Sequence, residues 1–298
     1  MKIVERFSIA SRVARARCVV VLSILLFFSV SSFAATCTSS GTGDWNIPGT
    51  WSGCAAGTGT PVGTPGAADT VVISNNSIVT VTSAAAAATV TIATGNRSSQ
   101  LVLGAGVPLA VTGAIVINAA TSPTAGRAKL LTVGTGSLSA ASISIAAGTN
   151  ANPAQVTLST GSIATSGSIT YSGTAANARF ASSSSGAVTV GGDFLPGTFT
   201  AASSTVSFNG GGAQSAGVFS YYNVVVNNGN AVNLGGATTI DGTLTLTAGN
   251  LAVAGNTLTL NGSVAGTGSN LVTTASSSLV FSGSAAVTLP AAASPPRL

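Results

Sequence analysis

The chain has 298 residues, 45% of them hydrophobic but only 5% aromatic and 5% charged, with a formal net charge of +5 and no histidine. Ordinary soluble domains carry about a quarter charged residues, so Ser, Thr, Asn and Gly must solvate this surface. The glycines with many Ala, Ser and Thr would suit a low-complexity or silk-like chain, but high hydrophobicity with so little charge favours a folded one, and the missing histidine excludes a Ser-His-Asp triad and any imidazole-ligated metal.

At the N-terminus, Lys2, Arg6, Arg12, Arg15 and Arg17 against Glu5 gather a net +4 into the first seventeen residues. Beyond them, Arg97, Arg127, Lys129, Arg179 and Arg297 stand against Asp44, Asp69, Asp193 and Asp241, a net of +1. No basic patch interleaved with aromatics follows, so nucleic acid is not an expected partner. The basic stretch precedes an apolar run at residues 18–30 and then "SSFAAT", the layout of a secretory signal. That run is 13 residues, short of the roughly 20 that span a bilayer. Residues 1–34 therefore read as a signal peptide cleaved after Ala34, with Ala35 as the next-best site. The mature chain is expected to be secreted or on the cell surface, without a transmembrane segment.

Residues 35–69 read as an N-terminal cap. They hold the two cysteines left after cleavage, Cys37 and Cys54. An even pair in an exported chain reads as a disulfide, worth about 3 kcal/mol in the chain-entropy account. The rival reading, two free thiols or a metal site, lacks a His or a further Cys. Trp45 and Trp51 lie within the same loop. They would either stack on a sugar or plug the end of a core, and a repeat protein's exposed terminal unit favours the plug.

From Thr70 onward come short runs of alternating hydrophobicity, among them "TVVIS", "SIVTVTS", "QLVLG", "AIVIN", "QVTLSTG", "TVSFNG" and "TLTLNG". Alternation at that length, closed by Gly, Asn or Ser, predicts half-buried strands joined by turns. "SAAAAA" at 83–88 is too short for a stable helix. The runs recur at a longer period. Leu131, Val133, Gly136 and Leu138 precede Val156, Leu158, Gly161 and Ile163 by 25 residues, and Leu101, Leu103 and Gly106 precede the first three by 30. Later runs follow at 14 to 21. A period of about 20 to 30 residues with two or three strands each fits stacked coils sharing one core. The expected fold is all-β, a right-handed parallel β-solenoid with a disulfide-linked cap, with coils over 70–203 and a strand repeat continuing them over 204–290. A β-sandwich is the alternative. Residues 291–298 read as a flexible or truncated end.

Two stretches carry a resemblance. "GTGDWNIPGTWSGC" followed by "TPGAADTVVISNNSIVTV" resembles the opening of MshQ-like proteins and other secreted bacterial β-strand-repeat proteins, and more loosely the G8 domain. The matching residues are Gly43, Trp45, Thr50, Trp51, Ser52, Pro65, Asp69, Val71 and Ile73. The stretch at 205–251 resembles a repeat of adhesin-like surface proteins through Phe208, Gly210, Gln214, Gly217, Tyr222, Asn223, Val225, Asn227, Gly242, Leu244, Leu246 and Gly249. The resemblance implies parallel β-helix architecture and a surface context.

Carboxylates are the remaining acid-base candidates. Asp193 and Asp241 lie 48 residues apart, about two coils, which could bring them within the roughly 5 to 10 Å a glycosidase pair needs. Both stand in turn contexts, "GGDF" and "IDGT", where Asp serves the backbone. No calcium-binding nonapeptide series and no phosphate loop is present. The sequence thus predicts no catalytic residue, metal or cofactor. It predicts a structural or adhesin-like module whose partners are glycans, host or neighbouring cell surfaces, or other copies of the chain. A polysaccharide-acting β-helix enzyme is the first alternative. An ice-binding solenoid, which needs a regular Thr ladder, is the second.

Overall fold

A computed structural model describes residues 34–148, 152–266 and 270–282. The expected signal peptide up to residue 33 and the expected terminal segment 291–298 lie outside the described residues.

Three parallel faces make the fold, visited in order once per coil. The first face begins at Ala85–Ala87 and continues through Pro108–Val111, Ser137–Ala140, Ser162–Thr165, Ala187–Val190 and Thr205–Phe208. The second begins at Thr36–Ser39 and runs through Thr70–Ile73, Thr89–Ile92, Ala114–Ile117, Ser142–Ala147, Ile169–Gly173, Phe194–Leu195 and Gln214–Ala216. Two long strands, Asn223–Leu234 and Leu244–Ala252, turn the corner and serve both faces. The third face runs from Gly43–Asp44 through Ile78–Val81, Ser99–Leu103, Lys129–Gly134, Ala154–Leu158 and Ala178–Ser182 to Thr198–Thr200. It resumes as a separate sheet with Ser220–Tyr221, Thr238–Ile240, Thr257–Leu260 and Ser278–Phe281. The fold is thus a parallel β-solenoid, and the sandwich alternative falls. Among the described strand pairs only Thr36–Ser39 with Trp51–Ser52 is antiparallel, whereas a sandwich is built from antiparallel sheets.

The alternation explains this arrangement directly. Every second residue of a strand turns inward, and in-register stacking places like on like. On the second face, Cys37, Val71, Val90, Ile115, Ile143, Ile169 and Phe194 form one inward ladder, all of it buried. Val79, Leu101, Leu131, Val156 and Phe180 do the same on the third. The 25-residue offset is the coil length, since Leu131 pairs with Val156 and Leu138 with Ile163. A bulge after Thr132 shifts the partner of Leu158 from Val133 to Gly134.

The 14-residue interval is different. Leu244 belongs to the first face and Leu258 to the third face of the same coil, so that spacing separates faces and not coils. "AAA" at 85–87 is a strand, the first of its face. Glycine decides how closely coils approach at the corner leading from the third face to the first. A Cβ on Gly161 would lie 2.2 Å from the carbonyl oxygen of Gly136, a contact no side chain tolerates.

Candidate functional site

The cap is built around the disulfide and one carboxylate. Cys37, on the first strand of the second face, is bonded to Cys54. Trp51 pairs with Ser39 across the antiparallel turn. The Trp51 indole N–H donates to the carbonyl of Trp45 at 2.7 Å, and the two rings meet edge to face with centroids 5.3 Å apart. Trp45 is 1% and Trp51 7% exposed, and both belong to the continuous apolar core. Neither ring offers a free face on which a sugar could stack.

Asp69 organises the rest of the cap. It is fully buried, and its carboxylate accepts from the backbone N–H of Ala35, Thr58 and Gly66 and from the Thr58 hydroxyl, at 2.6–2.9 Å. Burial by itself would raise its pKa, but these four donors outweigh it and hold the carboxyl below its ordinary value. Three backbone segments, one of them 34 residues away, thus converge on one anion.

Beside Trp45 lies a shallow cavity of about 330 Å³, lined among others by Asn46, Thr60, Pro65, Ala85 and Ala86. Two atoms of these residues, the indole Nε1 of Trp45 and the side-chain Oδ1 of Asn46, have no hydrogen-bond partner and no contact with solvent, so neither faces the open cavity; the Asn46 amide nitrogen bonds the Ser83 hydroxyl. A second depression of about 270 Å³ follows the glycine corner at Gly136, Gly161 and Ser162. It has no charged side chain among its lining residues.

The other acids are also engaged within the scaffold. Asp193 follows the first face at Gly192 and accepts from Ser215 N–H at 2.7 Å. Asp241 follows the third face and accepts from the Asn261 side-chain amide at 2.7 Å. The two occupy different corners of the coil, so stacking does not bring them together. Asp44 accepts from Asn46 N–H and from the Thr82 hydroxyl. Among the described residues no three His, Cys, Asp or Glu side chains converge. Outward threonines do not make an unbroken ladder either. On the third face the register runs Thr80, Val102, Thr132, Thr157, Ala181, Thr200.

Three interior polar positions escaped the sequence reading as determinants of structure. Lys129 is fully buried. Its ammonium donates to the Arg97 carbonyl at 2.7 Å, the Ser99 hydroxyl at 3.0 Å and Asn75 Oδ1 at 3.2 Å. Burial pulls its pKa down to about 8. Its place in "KLLTVG" was the available signal, because Lys129, Leu131 and Val133 share the inward phase. Gln214 and Asn228 form the second such node. Gln214 Nε2 donates to the carbonyls of Val190 and Gly192, and its Oε1 accepts from Gly210 N–H and Asn228.

No family model, no curated protein and no solved structure matches the chain.

Proposed function

We propose that the protein is an exported structural and adhesive module of the cell surface or extracellular space, acting by display and without catalysis. The observation that carries this reading is the solenoid itself. Almost every inward position is an aliphatic or aromatic side chain, and the cap and corner carboxylates accept hydrogen bonds from within the scaffold, Asp193 and Asp241 from the next coil. Such a chain devotes its residues to a scaffold, and function then belongs to the surfaces that the scaffold presents.

Export is supported by the signal-like leader and by the Cys37–Cys54 disulfide, a bond that persists in oxidising compartments. The likeness of the cap and of the 205–251 stretch to MshQ-like and adhesin-like proteins supports the surface context. Glycans, neighbouring cells and other copies of the chain are the partners of this reading. Neither the divided acids nor the broken Thr ladder favours the enzymatic or ice-binding alternative.

Purified, oxidised protein applied to a glycan array and to intact cells tests the adhesive part. Saturable binding to glycans or cells is the expected result. A protein that binds neither would reduce the module to a passive stalk.

A further inference from the structure

We propose that the corner leading from the second face to the third binds an acidic polysaccharide, a linear glycan carrying carboxylates. This rests on the display reading above and names its partner by charge. The described residues hold four cations, Arg97, Arg127, Lys129 and Arg179. All four lie at this corner or within two residues of it, on stacked coils. Their register follows from the strands they lead into. Ser99 pairs with Lys129, Lys129 with Ala154 and Ala154 with Ala178. Two residues back from each of these stand Arg97, Arg127, Asn152 and Ala176, one column along the solenoid.

Arg179 joins that column through its side chain. It is an outward residue of the third face, and its Nε donates to the Ala176 carbonyl at 3.0 Å, which turns the guanidinium back over the corner. Coils rise by about 4.8 Å each, so the three guanidinium groups line about 15 Å of the corner. Arg97 and Arg179 are exposed and Arg127 is half-buried. The backbone beneath them is fixed. Arg97 N–H donates to Asn75 Oδ1 at 2.9 Å and Arg127 N–H to Asn152 Oδ1 at 2.8 Å, each from an adjoining coil. The Lys129 ammonium holds the Arg97 carbonyl from below.

The described carboxylates lie elsewhere. Asp44 belongs to the first strand of the third face, Asp69 is enclosed in the cap, and Asp193 and Asp241 stand at the other two corners. Opposite charges are thus segregated, and this corner keeps a positive field on a surface otherwise nearly free of charge. A guanidinium holds a carboxylate through two parallel N–H donors. A column of them along a rod fits a polymer whose carboxylates recur along its length. The corner segments 93–98, 118–128, 148–153 and 174–177 contain no aromatic residue, whereas single-stranded nucleic acid needs aromatic stacking platforms. An anionic membrane calls for a denser cluster, about four to eight Lys or Arg.

The test is binding of the purified, oxidised protein to polygalacturonate by biolayer interferometry. Dextran, poly(dT) and phosphatidylserine vesicles are the neutral-glycan, nucleic-acid and membrane comparisons. Saturable binding to polygalacturonate alone is expected, and it should fall about tenfold as NaCl rises from about 50 to about 500 mM, because salt screens exposed charges. Arg97→Gln, Arg127→Gln and Arg179→Gln should each weaken it about threefold, the size of one exposed ion pair, and the triple variant should lose it. None of the three belongs to the apolar core, so near-UV circular dichroism should match the wild type. Should the triple variant misfold, the exposed Arg97→Gln and Arg179→Gln variants decide the matter alone. Binding that is absent, that persists undiminished in the variants, or that goes equally to dextran, poly(dT) or the vesicles overturns the proposal. Cell adhesion that survives in the triple variant would remove this corner and leave the display reading standing. Polygalacturonate binding by a protein retained inside the cell would do the reverse.

Discussion

Asp69 shows how much one side chain can determine in a chain that is 5% charged. Its oxygens hold Ala35, Thr58 and Gly66, and so fix the start of the second face and both ends of the loop at 58–66. Hydrogen bonds to a charged group contribute about 1.5–3 kcal/mol each. Asn at this position offers one acceptor oxygen and turns an amide N–H toward a backbone donor. Asp69→Asn is therefore expected to destabilise the cap by about 3 kcal/mol. The folded carboxyl has its pKa below the ordinary value, so the native state binds fewer protons than the unfolded chain. That stabilisation is present above the ordinary carboxylate pKa, about 4, and is lost as pH falls through the depressed one. Near-UV circular dichroism of the Trp45–Trp51 pair, followed from pH 7 to pH 2, checks both points. The wild-type signal should collapse in acid, whereas Asp69→Asn should have a weakened signal at pH 7 and a flatter acid response. An acid profile identical in the two proteins would remove Asp69 from this role.

Among elements, the joint after Phe194–Leu195 is the place where the ladder thins. Between Ala85 and Phe194, coils advance by about 24 to 30 residues, as from Pro108 to Ser137 and from Ala154 to Ala178. From Ala187 to Thr205 the advance is 18, and the coils stay short afterward. Across this change the first face keeps four paired positions. The second keeps one, Phe194 with Ala216, and the third face passes from one sheet to another. An aromatic cluster fills the joint. Phe180, Phe194, Phe199, Phe219 and Tyr221 meet at centroid distances of 5.0–6.2 Å. The buried Tyr221 hydroxyl donates to the Gly217 carbonyl, and burial raises its pKa. Side-chain packing here takes over from backbone pairing. Phe194→Ala is expected to cost about 3–5 kcal/mol and to open the chain first at 196–204 and 217–219. Limited proteolysis with mass mapping would show those cuts before any in 70–190, and cuts spread evenly along the chain would contradict it.

The same joint marks how far the sequence could be read. Inward and outward positions were legible because alternation has a period of two, and even Lys129 falls in phase with Leu131 and Val133. The coil length was legible between Leu131 and Val156 because Gly136 and Gly161 repeat with the apolar residues, and they repeat because the corner has no room for a Cβ. In the shorter coils two faces carry nearly identical "TLTL" strands, so sequence spacing alone could not separate a face from a coil. The cap was legible in its cysteines and tryptophans. The Asp69 network and the Trp45–Asn46 cavity were not, since Ala35 lies 34 residues from Asp69 and Ala84–Ala86 are far along the chain from Trp45, and only folding unites them.

At the largest scale, the described residues form one continuous core under three faces, with a disulfide and two buried tryptophans where the first strands begin. Each coil buries its apolar face against its neighbours, so the scaffold is a sum of local contacts and its outward residues are free to vary. That division between a fixed interior and a permissive surface suits a display module. The display reading stands or falls on where the protein resides. The most direct measurement fractionates producing cells, shaves intact cells with protease and determines the N-terminus and thiol state of the recovered chain. The expected result is protein in the medium or removable from the surface, beginning at Ala35 with Cys37 and Cys54 oxidised. An intact chain retained in the cytoplasm, starting at Met1 with both thiols reduced, would contradict it.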